Sequence, residues 1–138
     1  MAGSVQRRFF FTAVCLALLI LSVSFFWKIP PTLKVSSDSL ISMMDTGETP
    51  IIIDVRNKFE YKNGHIPSAI NVALGHLFFQ HDELAVSQKS HVIVYCNTGL
   101  RARIASIYLR RVGFESIYVL DGQLNNWKEK GYPVAQVA

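Results

Sequence analysis

Hydrophobic positions along this chain follow two different patterns. Residues 9–27 read FFFTAVCLALLILSVSFFW, 16 apolar residues in 19 with no charge. At a helical rise of 1.5 Å per residue the run spans roughly 28 Å, close to a hydrocarbon core, and the hydroxyls of Thr12, Ser22 and Ser24 can bond back to their own helix. Phe25, Phe26 and Trp27 followed by Lys28 make an interfacial aromatic belt, and Pro30-Pro31 ends any helix beyond it. The pattern predicts a single-pass membrane helix over 9–27, preceded by a basic tail at 1–8. A cleaved secretory signal is the alternative, with Arg7-Arg8 as its charged start and a cut near Ser24 that would leave a secreted or periplasmic protein. Bulky Phe25 and Phe26 just after that cut favour a retained anchor. Arg7 and Arg8 on one side face Lys28 and Lys34 on the other, so charge leaves the membrane side of the domain open.

After a short linker at 28–36 the pattern changes to that of a folded domain over 37–138. Ser36-Ser37-Asp38 offers a helix N-cap, Leu40, Ile41, Met43 and Met44 form an apolar stripe, and Gly47 with Pro50 stops the helix. Three continuous apolar runs, 51–53, 91–95 and 117–120, predict strands buried on both faces. Between the last two, Ile104, Ile107, Tyr108 and Val112 recur at helical spacing, with Arg103, Ser106 and Arg110 opposite and Gly113 as terminator. A last helix over about 123–130 turns Leu124 and Trp127 inward, and Leu77-Phe78-Phe79 packs a short helix against the sheet. Strands alternating with helices give the α/β class, a parallel sheet with helices on both faces.

Composition narrows the function. Lys and Arg outnumber Asp and Glu by 14 to 10, but Arg7, Arg8 and Lys28 flank the apolar run, and without them 11 positive charges meet 10 negative. That balance gives no reason to expect nucleic acid as a partner. The two cysteines, Cys15 in the apolar run and Cys96 in the domain, cannot build a disulfide framework. His76, His81 and His91 lack zinc-ligand spacing, so no metal is expected.

In open α/β sheets the ligand crevice lies beyond the carboxyl ends of the strands, where Asp54, Cys96 and Asp121 fall. Cys96 opens the loop Cys96-Asn97-Thr98-Gly99-Leu100-Arg101, which joins a buried strand directly to a helix. That join aims backbone N–H groups and the positive helix end at one spot, a setting for a nucleophilic thiolate. Gly99 permits backbone angles closed to other residues, and Arg101 adds a charge able to hold an oxyanion. A buried cysteine acting as a small hydrophobe is the plain alternative, and the surrounding Gly and Arg weigh against it.

Over about 34–134 the sequence resembles the rhodanese family of sulfurtransferases. The resemblance rests on Asp54-Val55-Arg56, on Glu60-Tyr61 with Gly64-His65-Ile66-Pro67-Ser68-Ala69-Ile70-Asn71, on the loop at 96–101, and on Leu120-Asp121-Gly122 with Trp127. It implies the small single-domain form, a five-stranded parallel sheet, and Cys96 as a sulfur carrier. Sulfane sulfur would pass from a donor such as thiosulfate to a thiol or cyanide through a Cys96 persulfide cradled by the backbone N–H groups of Asn97, Thr98, Gly99, Leu100 and Arg101. Asp54, Arg56, Glu60 and His65 would support the loop, and no metal or organic cofactor is required. Four residues separate Cys96 from Arg101, one fewer than in cysteine phosphatases of related fold, which suits a sulfur atom better than a phosphate. Family loops often carry arginine at the position of Asn97 and a hydroxyl residue at that of Ala102, and a Gly-Gly pair near the end corresponds here to Asp121-Gly122. A noncatalytic membrane-tethered binding module, and thiol redox or arsenate chemistry, are the competing functions.

Overall fold

The computed structural model describes residues 11–20, 31–84 and 86–137. The chain divides into two units, Met1–Pro31 and Thr32–Ala138. In the first, residues 11–20 are helical and exposed along their length. The rest of the predicted span, 9–10 and 21–27, lies outside the described residues, and among those described no helix is long and apolar enough to cross a membrane.

The second unit holds β1 (Leu33–Val35), α1 (Ser37–Asp45), β2 (Ile51–Asp54), α2 (Lys58–Lys62), β3 (Ile70–Asn71), α3 (Leu74–Gln80), a 3-10 turn at His81–Leu84, β4 (His91–Tyr95), α4 (Leu100–Arg111), β5 (Ser116–Leu120) and α5 (Gln123–Glu129). The strands form one sheet in the order β1-β5-β4-β2-β3, and every pairing is parallel. Alternate strand residues feed opposite cores. Val92 and Val94 join Leu77 of α3 and Leu109 of α4 on one face, whereas Ile93 and Tyr95 join Leu40 of α1 and Trp127 of α5 on the other. Burial on both faces is why these strands are apolar without alternation.

Two expectations need correction. The segment assigned to the linker, 28–36, contains β1, whose Leu33 pairs with Tyr118 and whose Val35 pairs with Leu120, so the sheet begins before residue 37. A three-residue edge strand carries too few positions to show a period. The second correction concerns α4. Its buried residues are Ala102, Ala105, Ser106 and Leu109, while Ile104 is 40% exposed. Small alanines let the helix backbone approach the sheet, a role that a search for bulky apolar spacing overlooks. Ser106, expected on the polar face, is buried and donates from Oγ to the Arg103 carbonyl at 2.8 Å.

Candidate active site

Cys96 is the first residue beyond β4, and α5 grips its backbone from both sides. The Cys96 N–H donates to Gln123 Oε1 at 2.8 Å, and its carbonyl accepts the Leu124 N–H at 3.1 Å. The thiol is buried among core residues including Val94, Ala102 and Val119. The chain then turns through Gly99, whose φ of +111° favours a residue without Cβ. This turn brings the Gly99 N–H to 3.0 Å from Cys96 Sγ. The first backbone hydrogen bond of α4 runs from the Arg103 N–H to the Gly99 carbonyl at 2.9 Å, which leaves the preceding N–H groups outside the helical ladder, at its positive end.

A chain of charged and amide side chains braces the loop from the other direction. Arg56 donates from Nε and Nη2 to the Asp54 carboxylate, the closest contact being 2.7 Å, and both residues are buried. Its Nη2 also reaches the Gly64 carbonyl at 2.7 Å and its Nη1 reaches Asn97 Oδ1 at 3.1 Å. Asn97 Nδ2 in turn donates to Glu60 Oε1 at 2.8 Å. Glu60 is gripped by Arg101 through two parallel bonds of 2.7 and 2.9 Å, a strong charge-assisted geometry. Glu60 also closes a capping box with Asn57 at the start of α2, accepting the Asn57 N–H at 3.1 Å. These bonds, with Arg101 foremost, hold its carboxyl down to about 2 against burial. For Arg56, burial opposes the charge, yet the Asp54 hydrogen bonds and charge prevail and raise its pKa. Arg101 is likewise raised, chiefly by its bonds to Glu60 and with a contribution from Cys96.

The expected site residues thus divide into groups. Asp54, Arg56, Glu60, Asn97 and Arg101 form one connected network, and Gly99 contacts the sulfur. The Asn97 side chain bonds Arg56 and Glu60, which leaves its backbone N–H as the group expected to face the substrate. Arg101 directs both terminal amino groups at Glu60 while its guanidinium also interacts with Cys96. Thr98 and Leu100 are exposed on the rim. His65 organises a loop: Nδ1 lies 2.9 Å from the Tyr61 carbonyl, the ring stacks on Tyr61 at 3.7 Å, and its backbone pairs with Ala135. Asp121 pairs with Lys34 at 2.9 Å on the surface. Among the described residues no cluster of His, Cys, Asp and Glu is suited to a metal ion.

Gln123 is the residue that sequence reasoning missed. It combines a φ of +58° with the neighbouring Gly122 at +67°. The two positions suited to a Gly-Gly pair are therefore 122 and 123, not 121 and 122. Its buried side chain bridges Cys96 and the Leu120 carbonyl. A non-glycine residue in this conformation costs about 1 kcal/mol, which the side chain's hydrogen bonds offset. Sliding the motif by one residue against the sequence would have exposed the substitution.

Comparison with known proteins agrees with this geometry. Residues 36–130 match the rhodanese-like domain family. A tRNA uridine(34) hydroxylase from Yersinia pestis is 31% identical over 107 residues, covering 71% of this chain but only 30% of the relative. Among solved structures, a rhodanese-related protein from Thermoplasma volcanium superposes with a TM-score of 0.67 at 25% identity, over 76% of this chain and 99% of that one. A 3-mercaptopyruvate sulfotransferase of rhodanese fold from Escherichia coli gives 0.66 at 29% identity over 78% and 52% of the two chains. With the parallel sheet, the strand-to-helix cysteine loop and a family match across nearly the whole second unit, this chain belongs to the rhodanese-like domain family.

Proposed function

We propose that this chain is a sulfurtransferase that carries sulfane sulfur on Cys96. The observation that supports this most is the Gly99 N–H held 3.0 Å from Cys96 Sγ at the positive end of α4. A donor fixed in that position stabilises negative charge on whichever sulfur occupies the loop, without reorganising during the reaction. In the first half-reaction the Cys96 thiolate attacks the outer sulfur of the donor. A Cys96 S–S bond forms, the donor's sulfur–sulfur or sulfur–carbon bond breaks, and the leaving group departs with the electron pair as sulfite, thiolate or enolate. In the second, a thiolate or cyanide attacks the outer persulfide sulfur and regenerates the Cys96 thiolate. Electrons balance without a metal or organic cofactor.

Two substrates that never meet on the protein imply ping-pong kinetics. Thiocyanate production from a sulfane donor and cyanide should give parallel double-reciprocal lines, and Cys96→Ser should abolish it. An undiminished rate in Cys96→Ser would overturn the assignment. The hydroxylase relative extends well beyond the 30% of its length matched here, and outside the flanks of the apolar run 11 positive charges meet 10 negative, so tRNA is not proposed as a substrate.

Residues 9–27 are proposed to anchor the domain to a lipid bilayer, on the strength of their uncharged apolar run and flanking aromatic belt. Retention in the pellet after alkaline carbonate extraction is expected. Release of the full chain into the supernatant would contradict it.

A further inference from the structure

The arginines around the cysteine loop are not equivalent. Arg56 is bound by the Asp54 carboxylate at 2.7 Å. Arg101 gives two bonds to Glu60 and also interacts with Cys96, so its charge serves the sulfur itself. Arg103, two residues further on, is exposed, and among the described residues its guanidinium has no hydrogen-bond or ion-pair partner. It stands in the first turn of α4, which holds no acidic residue. A cation there opposes the helix dipole, so its charge adds to the positive end instead of balancing it.

Arg103 opens onto a cavity of about 500 Å3, lined by Thr98, Gly99 and Leu100 of the loop, by Lys34 of β1 and by Gln123 of α5. Two of these residues also touch the nucleophile: the Gly99 N–H lies 3.0 Å from Cys96 Sγ, and Gln123 accepts the Cys96 N–H. The lining does not include Cys96, so the cavity flanks the sulfur cup across the Gly99 turn. Lys34 pairs with Asp121 at 2.9 Å, and those two charges cancel. Arg103 is therefore the net charge of the cavity. Space of this size is on the scale of small-molecule pockets, far more than a sulfur atom needs, and a single guanidinium matches one carboxylate in charge and in planar shape.

We propose that this cavity holds the carboxylate of a small organic thiol, the acceptor that collects the sulfur, and that Arg103 selects it while the thiol reaches the Cys96 persulfide. The inference rests on the sulfurtransferase reading above. In the step it describes, the acceptor thiol gives its proton to solvent and its thiolate attacks the outer sulfur of Cys96–S–SH. A new S–S bond forms, the bond from that sulfur to Cys96 Sγ breaks, and Cys96 leaves with the electron pair as the thiolate. The product is the acceptor's persulfide, R–S–SH. Cyanide has no organic part to place in the cavity and gains nothing from Arg103.

The test follows unloading of the persulfide form, by intact-mass measurement of the full chain in nonionic detergent, with three small thiols of different charge: 3-mercaptopropionate, 2-mercaptoethanol and cysteamine. Arg103→Gln should lower the 3-mercaptopropionate to 2-mercaptoethanol rate ratio about fivefold, the worth of one exposed ion pair, and should raise the cysteamine to 2-mercaptoethanol ratio. Comparing ratios between wild type and variant cancels the differing acidities of the thiols. Arg103→Lys should keep part of the preference for the anion. In wild type that preference should shrink as ionic strength rises, and in Arg103→Gln it should not respond. Unchanged ratios in Arg103→Gln, an equal fall with all three thiols, or a wild-type preference indifferent to salt would each overturn the proposal. A chain that loads sulfur from no donor would overturn the sulfurtransferase reading itself, and the proposal with it.

Discussion

Gln123 Oε1 accepts the backbone N–H of Cys96 at 2.8 Å, so the nucleophile's peptide is fixed by a side chain 27 residues further along the chain. Gln123→Gly has two opposing effects on stability. It relieves a left-handed glutamine, a gain of about 1 kcal/mol, and it leaves a buried N–H without its acceptor, a loss of about 1–3 kcal/mol. The melting temperature should therefore fall only slightly. Turnover should drop about tenfold with little change in the donor KM, since a displaced nucleophile slows the reaction more than it weakens binding. Unchanged turnover in steady-state kinetics would remove Gln123 from a positioning role.

Gly99 tests the backbone rather than the space around it. A Cβ built there would meet Gln123 Cγ at 3.6 Å, ordinary contact, yet the φ is +111°. Gly99→Ala should thus cost about 1–3 kcal/mol through strain alone. It should also turn the N–H away from Cys96 and depress sulfur loading. Denaturant titration alongside a loading assay would read both effects.

The Asp54–Arg56 pair predicts a sharper stability effect. Both side chains are almost fully buried, at 0% and 4% exposure. Arg56→Met would strand a buried carboxylate and should cost about 3–5 kcal/mol. Adding Asp54→Asn to that variant should recover part of the loss. Equilibrium unfolding of the two variants checks the coupling.

Glu60 supplies the acid-side prediction. Its carboxyl is lowered to about 2 from an ordinary 4.5. A depressed carboxylate stabilises the folded state above its unfolded value, and that contribution is lost as pH falls from about 4.5 through about 2. The pair is partly exposed, at 35% and 22%, so solvent screening limits its worth to about 1 kcal/mol or less. Carboxyl-carbon NMR should place the Glu60 midpoint near 2 in wild type, and Arg101→Ala should move it back toward 4.5. A midpoint near 4.5 in wild type would refute the bidentate contact.

The legible parts of the fold were those with a strong physical signature. Strands β2, β4 and β5 are buried on both faces, so their apolar runs stood out, and Cys96 could be placed at a strand-to-helix join from sequence alone. Strands β1 and β3 were missed by pattern because edge strands of three and two residues carry too little sequence to show one. The packing face of α4 was misread because Ala102 and Ala105 pack by closeness rather than by size. At the site, Asp54, Arg56 and Glu60 were recognisable as supports. That Glu60 occupies Arg101 was not, since it depends on α2 being carried against the cysteine loop by contacts far apart in sequence. Gln123 stayed hidden for a related reason: its backbone angle, invisible in a one-letter code, is what sends its side chain to Cys96.

The central claim is that Cys96 carries sulfur, and intact-mass spectrometry of the full chain after incubation with a panel of sulfane donors tests it most directly. The account predicts a gain of one sulfur mass on the full chain, removed by cyanide or excess thiol and absent in Cys96→Ser. A mass unchanged by every donor, or the same gain in Cys96→Ser, would contradict it.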